Sequence, residues 1–129
     1  MNKILIEVSV GELLDKISIL EIKKEKIKDT DKLKFIEDEY LILKKQLDEN
    51  ITLSDQLKKL YEKLKAINTK LWDIEDNKRM CEKNSDFGEN FIKLSRDVHF
   101  LNDDRAQIKL LINNQTGSKI KEIKQYTNY

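Results

Sequence analysis

The sequence predicts an all-α protein, a four-helix bundle-like fold built on a long antiparallel helical hairpin. Pro is absent from the 129 residues and Gly occurs only three times, so the residues that most often interrupt helices are scarce. Apolar residues recur at alternating spacings of three and four over most of the chain, which is the pattern of heptad-repeat helices. Short clusters of Asp, Asn, Ser and Thr divide these stretches into four.

The first helix is expected over residues 10–28. Ser9 and Glu12 match a capping box, in which the Ser9 hydroxyl accepts from the Glu12 amide and the Glu12 carboxylate reaches back to Ser9. The apolar residues of this helix cover a wide arc, which predicts contact with more than one neighbour. Residues 3–8 are short and β-prone, and form either a strand or an extended lead-in.

The remaining helices are expected over residues 31–48, 55–83 and 87–115. In the third, an unbroken heptad pattern runs for three and a half repeats from Leu57 to Cys81. The turn near Ser85 is tight, so the third and fourth helices must be antiparallel. The tail, residues 118–129, either pairs with the opening strand or is loosely held.

Composition excludes several classes of function. The chain carries 25 basic and 24 acidic residues, and because the two signs are interleaved we expect solvated helix faces and no nucleic-acid partner. No apolar run approaches the roughly 20 residues of a membrane span, and residues 1–10 are too short and too interrupted for a signal peptide. A single cysteine, Cys81, and abundant Lys fit a reducing compartment, so we expect one cytoplasmic domain.

A polar stripe runs beside the apolar seam of the predicted hairpin. Arg105 occupies a heptad core position where the register asks for Leu. Arg79 lies one turn after Glu75 and Asp76 on the same helix, within ion-pair reach of both. Pairing the hairpin about Ser85 brings the stripes of the two helices to similar levels. The candidate site residues are Asp15, Asn68, Trp72, Glu75, Asp76, Arg79, Arg96, His99, Asn102 and Arg105.

Two interpretations of this stripe remain open. In the first, Arg96 and Arg105 pair with carboxylates at a partly buried seam and fix register or oligomer order. In the second, the arginines line a pocket for an anionic or sugar-like ligand, to which the first helix contributes Asp15, Lys16 and Glu21. Trp72 is more often a core or interface aromatic than a ligand platform.

No catalytic set or metal site is predicted. His99 is the only histidine and lacks a second His for a metal. Asp73 and Asp76 have the spacing of acidic motifs in all-α nucleotide pyrophosphohydrolases, but in a chain with 24 acidic residues such matches arise by chance. Gly-rich phosphate loops, nucleophile elbows and paired-cysteine motifs are absent. We therefore expect no metal and no cofactor.

Four segments, in this order, resemble a bacterial family of small helical proteins known only as a domain of unknown function. They are VSVGELLDKI at residues 8–17, LWDIED at 71–76, DFG at 86–88 and NDDR at 102–105. The resemblance covers nearly the whole chain and its first two segments are distinctive. It implies a cytoplasmic bacterial or phage-borne protein, and it carries no activity across.

These observations predict a non-enzymatic binding or assembly module that works as a homo-oligomer, with a dimer favoured. The third and fourth helices should each be about 42–45 Å long, and the shorter first two would leave part of their apolar seam uncovered. The alternative is a helical-bundle enzyme or small-molecule binder that uses the Arg, acid and Trp residues of the stripe. A protein partner or a small anionic ligand is therefore the further expectation.

Overall fold

A computed structural model describes residues 2–120 and 122–128 of the chain. Within them lie four α-helices, α1 (Val10–Lys26), α2 (Thr30–Asn50), α3 (Asp55–Lys83) and α4 (Glu89–Thr116). The predicted all-α class is confirmed, and each helix begins and ends within two residues of its predicted bounds. None of these helices combines the length and apolarity needed to cross a bilayer.

Local signals start and stop the helices. The N-cap side chains of Ser9, Asp29 and Ser54 each accept a hydrogen bond from a backbone amide of the first turn, which satisfies groups that a helix start leaves unpaired. Gly117 ends α4 in the left-handed conformation, with φ of 68°, as a C-terminal glycine commonly does. The second half of the predicted capping box is replaced, because the Glu12 carboxylate accepts from Lys109 Nζ at 2.7 Å instead.

Helix α1 lies at the centre of the bundle. Its backbone lies close to those of α2, α3 and α4. The backbone of α2, in contrast, lies close to that of α1 only and not to those of α3 and α4. The wide apolar arc of α1 is therefore used on several sides. Burying a large apolar side chain contributes about 1.5–3 kcal/mol, so the core holds the four elements together. The core residues are Leu13, Leu14, Ile17, Leu47, Leu57, Leu64 and Ile112.

The hairpin of α3 and α4 extends beyond this core. The last residue of α1, Lys26, reaches Asp73 of α3 at 3.5 Å, and α3 continues from there to Lys83. With 17 residues, α1 is about 25 Å long, whereas the 29 residues of α3 give about 43 Å. The far part of the hairpin is thus a two-helix arm that neither α1 nor α2 covers.

The described residues of the terminal segments have no regular secondary structure and do not form the proposed sheet. No β-strand occurs in residues 2–120 and 122–128, and Ile4, Leu5 and Ile6 are 86, 83 and 76% exposed. The possible strand over residues 3–8 paired with the tail is therefore not formed among the described residues, which leaves the alternative of a lead-in outside any sheet. Hydrophobic, β-prone residues form a strand only when a second strand satisfies their backbone groups.

Candidate functional site

A carboxylate is buried where α1 packs against the hairpin. Asp15 is 1% exposed, and its Oδ1 accepts from Asn68 Nδ2 at 2.8 Å and from Arg105 Nε at 3.0 Å. Its Oδ2 accepts from Arg105 Nη2, so the guanidinium binds the carboxylate through two parallel bonds, the strongest geometry for this pair. We call the following residues the Asp15 cluster: Glu12, Asp15, Ser18, Asn68, Arg105, Lys109 and Glu122.

Ser18 and Asn68 complete the link between α1 and α3. Asn68 Nδ2 also donates to Ser18 Oγ at 2.8 Å, and Ser18 Oγ donates to the backbone oxygen of Asp15 at 2.7 Å. Both side chains are buried. Since Asp15 and Ser18 are three residues apart, they share one face of α1, and a single amide on α3 can reach both.

Lys109 joins three elements through its ammonium group. It lies 2.7 Å from a carboxylate oxygen of Glu12 on α1, 3.0 Å from one of Glu122 in the tail, and 3.7 Å from Asp15 Oδ2. Its side chain is only 10% exposed. The tail is therefore tied to the bundle by a nearly buried lysine.

Gly11 allows α1 and α4 to approach this closely. Its amide donates to Asn113 Oδ1 at 2.7 Å. A Cβ atom at this position would lie 2.7 Å from the backbone oxygen of Lys109 and 2.9 Å from Asn113 Oδ1, closer than real contacts allow. A glycine is needed here, and the same close approach brings Asp15 within reach of Arg105.

The charges of the cluster stabilise one another. Burial alone would raise the pKa of Asp15, but hydrogen bonds from Arg105 and Asn68 and the positive charges of Arg105 and Lys109 lower it below its ordinary value. Burial lowers the pKa of Lys109, and its hydrogen bonds with Glu12 and Glu122 raise it by more. The hydrogen bond with Asp15 raises the pKa of Arg105. All three groups are therefore ionised at neutral pH.

The hydrogen bonds and charges of the Asp15 cluster favour a structural role for Asp15 over a role as an acid or base. No buried side-chain nitrogen or oxygen of the described residues lacks a hydrogen-bond partner. Asp15 is an ionised carboxylate with both oxygens occupied, so it has no proton to give and no access to water. Within residues 2–120 and 122–128, no group of three or more His, Cys, Asp and Glu side chains could hold a metal ion.

A second polar cluster joins α1 and α3 nearer the end of α1. Tyr61 Oη donates to Glu21 Oε1 at 2.5 Å, and Lys65 Nζ bonds both Glu21 at 3.0 Å and Glu25 at 2.9 Å. Burial and the bond to Glu21 raise the pKa of Tyr61 well above its usual range. Each helix supplies residues four apart, which is the spacing that aligns pairs on facing helices.

Three of the predicted site residues come together in the Asp15 cluster, namely Asp15, Asn68 and Arg105. The others lie outside it. Arg79 is paired with Glu75 at 3.2 Å on the surface, where the two side chains are 77% and 60% exposed. Asp76, Arg96 and His99 are exposed, whereas Trp72 and Asn102 are partly buried. The rings of His99 and Phe100 are 4.5 Å apart.

The sequence reasoning missed four members of the cluster, which are Glu12, Ser18, Lys109 and Glu122. Two of them carried a usable signal. Ser18 follows Asp15 by three residues in a helix that is otherwise apolar on that face, and Lys109 follows Arg105 by four. The two glutamates carried none, because similar charged residues occur throughout the chain.

Comparison with known proteins places the chain in a family. No curated protein and no solved structure matches it. A family model described as a family of unknown function (DUF6165) matches residues 4–129. The match takes in α1 to α4, both terminal segments and every residue of the Asp15 cluster. The resemblance expected from the sequence motifs is confirmed, and the chain belongs to this family of unknown function.

Proposed function

We propose that the protein is a non-enzymatic assembly module that works as a homo-oligomer, most simply a dimer. The observation that carries this proposal is the area of its surface. The chain exposes 9659 Å², whereas the scaling of surface with mass gives about 7,100 Å² for a compact monomer of 15.3 kDa. The difference is about 2,500 Å², and a standard interface buries about 800 Å² on each partner.

Several large hydrophobic side chains lie on the exposed surface. On the two-helix arm, Met80, Phe87, Ile92 and Phe100 are each 41–54% exposed, and on α2 the side chain of Phe35 is 76% exposed. Single exposed hydrophobic residues are normal, but contiguous apolar patches on a monomer usually mark an interaction site. Their exposure supports association over a monomeric state.

The state of the polar residues supports a role other than catalysis. Arg105 is bound to Asp15 and Arg79 to Glu75, which favours a structural role for these two arginines over a shared ligand pocket. Two surface depressions, of about 720 and about 440 Å³, border α4, and no arginine lines either of them. A ligand-binding function based on Arg79, Arg96 and Arg105 is therefore less well supported than assembly.

Sedimentation velocity over a range of protein concentrations tests the proposal. The expected species has twice the 15.3 kDa mass of one chain at concentrations of tens of micromolar, and its thermal midpoint rises with protein concentration because dimer formation stabilises the folded state. A strict monomer up to several hundred micromolar, with a midpoint independent of concentration, refutes the proposal.

A further inference from the structure

Among the described residues, most of the highly exposed large hydrophobic side chains lie in the two terminal segments. Six large hydrophobic side chains among the described residues are at least 72% exposed. Only one of them, Phe35, belongs to a helix. The other five are Ile4, Leu5, Ile6, Ile123 and Tyr126. These two segments are therefore the strongest candidates for a surface that is buried when a partner binds.

The segments leave the bundle side by side. The amide of Val10, at the start of α1, donates to Ser118 Oγ, just beyond α4, at 3.3 Å. Ser9 is a buried N-cap, so the point where residues 2–8 emerge is fixed. The tail is held as well, because Glu122 is bound to Lys109 and the tail lines a groove together with α4.

An unfilled groove lies between the tail and α4. Its volume is about 720 Å³, within the range of specific binding pockets. One wall is a face of α4 that includes Ala106 and Leu110, which are four residues apart, and the other is the tail with Ile123 and Tyr126. Polar residues such as Asp103, Gln107 and Lys124 also line the groove, so it offers both apolar and polar side-chain contacts.

The opening segment has the complementary properties. Residues 2–8 have no regular secondary structure, and no backbone hydrogen bond joins them to another described residue. Ile4 and Ile6 lie two residues apart, so in an extended chain they point to the same face. A segment of this kind binds by adding a strand to an exposed extended backbone, with alternate side chains entering a groove.

We propose that the groove between α4 and the tail receives residues 3–8 of a second copy of this chain, and that the exchange is reciprocal. Each chain carries one unpaired apolar segment and one unfilled groove. In two copies related by a twofold axis, the segment of each copy fills the groove of the other. In a single chain the segment stays exposed and the groove stays unfilled. The excess surface of about 2,500 Å² leaves ample area for such an interface.

This inference rests on the proposed homo-oligomer and names its interface. It is tested first by disulfide trapping between two different variants, each also carrying Cys81→Ser to remove the native thiol. Mixing the Ile4→Cys chain with the Ile123→Cys chain should give a disulfide-linked dimer of the two, at least about tenfold faster than mixing Ile42→Cys with Ile123→Cys. Ile42 is a matched control, because it is 64% exposed on α2.

Sedimentation of charge variants provides the second test. The double variant Ile4→Asp/Ile6→Asp should be a monomer with an unchanged helical circular dichroism spectrum, since neither residue contributes to the core. The Ile42→Asp variant should remain a dimer. A wild-type dimer that persists in Ile4→Asp/Ile6→Asp, or equal trapping rates in the two mixtures, overturns this interface and leaves the homo-oligomer intact. A wild-type monomer overturns both proposals.

Discussion

The pair formed by Asp15 and Arg105 should respond unequally to the loss of its two partners. Replacing Arg105 with Met leaves a carboxylate whose side chain is 2% exposed, held only by Asn68 and by Lys109 at 3.7 Å. Stranding one partner of a buried ion pair costs about 3–5 kcal/mol. We expect Arg105→Met to reduce the free energy of unfolding by about 3–4 kcal/mol.

Replacing the other partner, Asp15, should reduce the free energy of unfolding by less. Asp15→Asn leaves a guanidinium on a side chain that is already 29% exposed and can turn its charged end toward water. The introduced amide also keeps an oxygen that can accept from Asn68. We therefore expect a loss of about 2 kcal/mol for Asp15→Asn, and a combined variant that costs at least about 1 kcal/mol less than the sum of the two, since neither charge is then stranded.

Urea unfolding followed by circular dichroism, at one fixed protein concentration, measures these differences. A loss of 3 kcal/mol should appear in thermal scans as a fall of roughly 10 °C in the midpoint for a chain of this length. Arg79→Met is the matched control, because its exposed pair with Glu75 should contribute less than about 0.5 kcal/mol. Equal losses for Asp15→Asn and Arg105→Met, or strict additivity in the combined variant, would contradict the asymmetry.

Two further predictions concern the packing and ionisation of the same region. Gly11→Ala should lower the free energy of unfolding by about 1–3 kcal/mol, because the added Cβ meets the backbone of Lys109. Gly88→Ala should lower it by under about 1 kcal/mol, because its Cβ meets only Asp86 Oδ1 at 3.4 Å. Thermal unfolding distinguishes them, and equal losses contradict the close approach. The pKa of Asp15 is lowered on folding, so its contribution is complete above the ordinary value of 3.8 and is lost in acid. The free energy of unfolding of wild type should therefore exceed that of Asp15→Asn by less and less as the pH falls from about 5 to about 3. A difference that does not change with pH would refute this prediction.

The helices could be predicted from the sequence because their signals are local. Ser9, Asp29 and Ser54 each precede a stretch of apolar residues at helical spacing, and Gly117 follows the last one. Such caps and periodicities act within a few residues, so they do not depend on the arrangement of the rest of the chain. The sequence left a strand and a lead-in open for residues 3–8, because strand pairing depends on a partner that local composition does not reveal.

The candidate site was predictable only in part. Arg105 was found because it occupies a heptad position that should be apolar, whereas Asp15 was included only as a contribution of the first helix to the predicted pocket. Their pairing could not be derived, since levels along a hairpin do not specify how helices are rotated or where a third helix lies. Arg79, Glu75 and Asp76 matched an ion-pair spacing, but that spacing is equally common on solvated surfaces.

The Asp15 cluster has a further consequence for how the molecule presents its termini. Because α1 is apolar toward several neighbours, hydrophobic contacts alone would allow it to slide or rotate on the hairpin at little cost, whereas a buried ion pair is satisfied in only one register. In that register Gly11 meets Asn113 and Val10 meets Ser118, so the starts of the two terminal segments lie side by side. Glu122 of the same cluster then directs the tail along α4 and forms one wall of the groove. A cluster that holds the fold therefore also sets the geometry of the surface proposed for assembly.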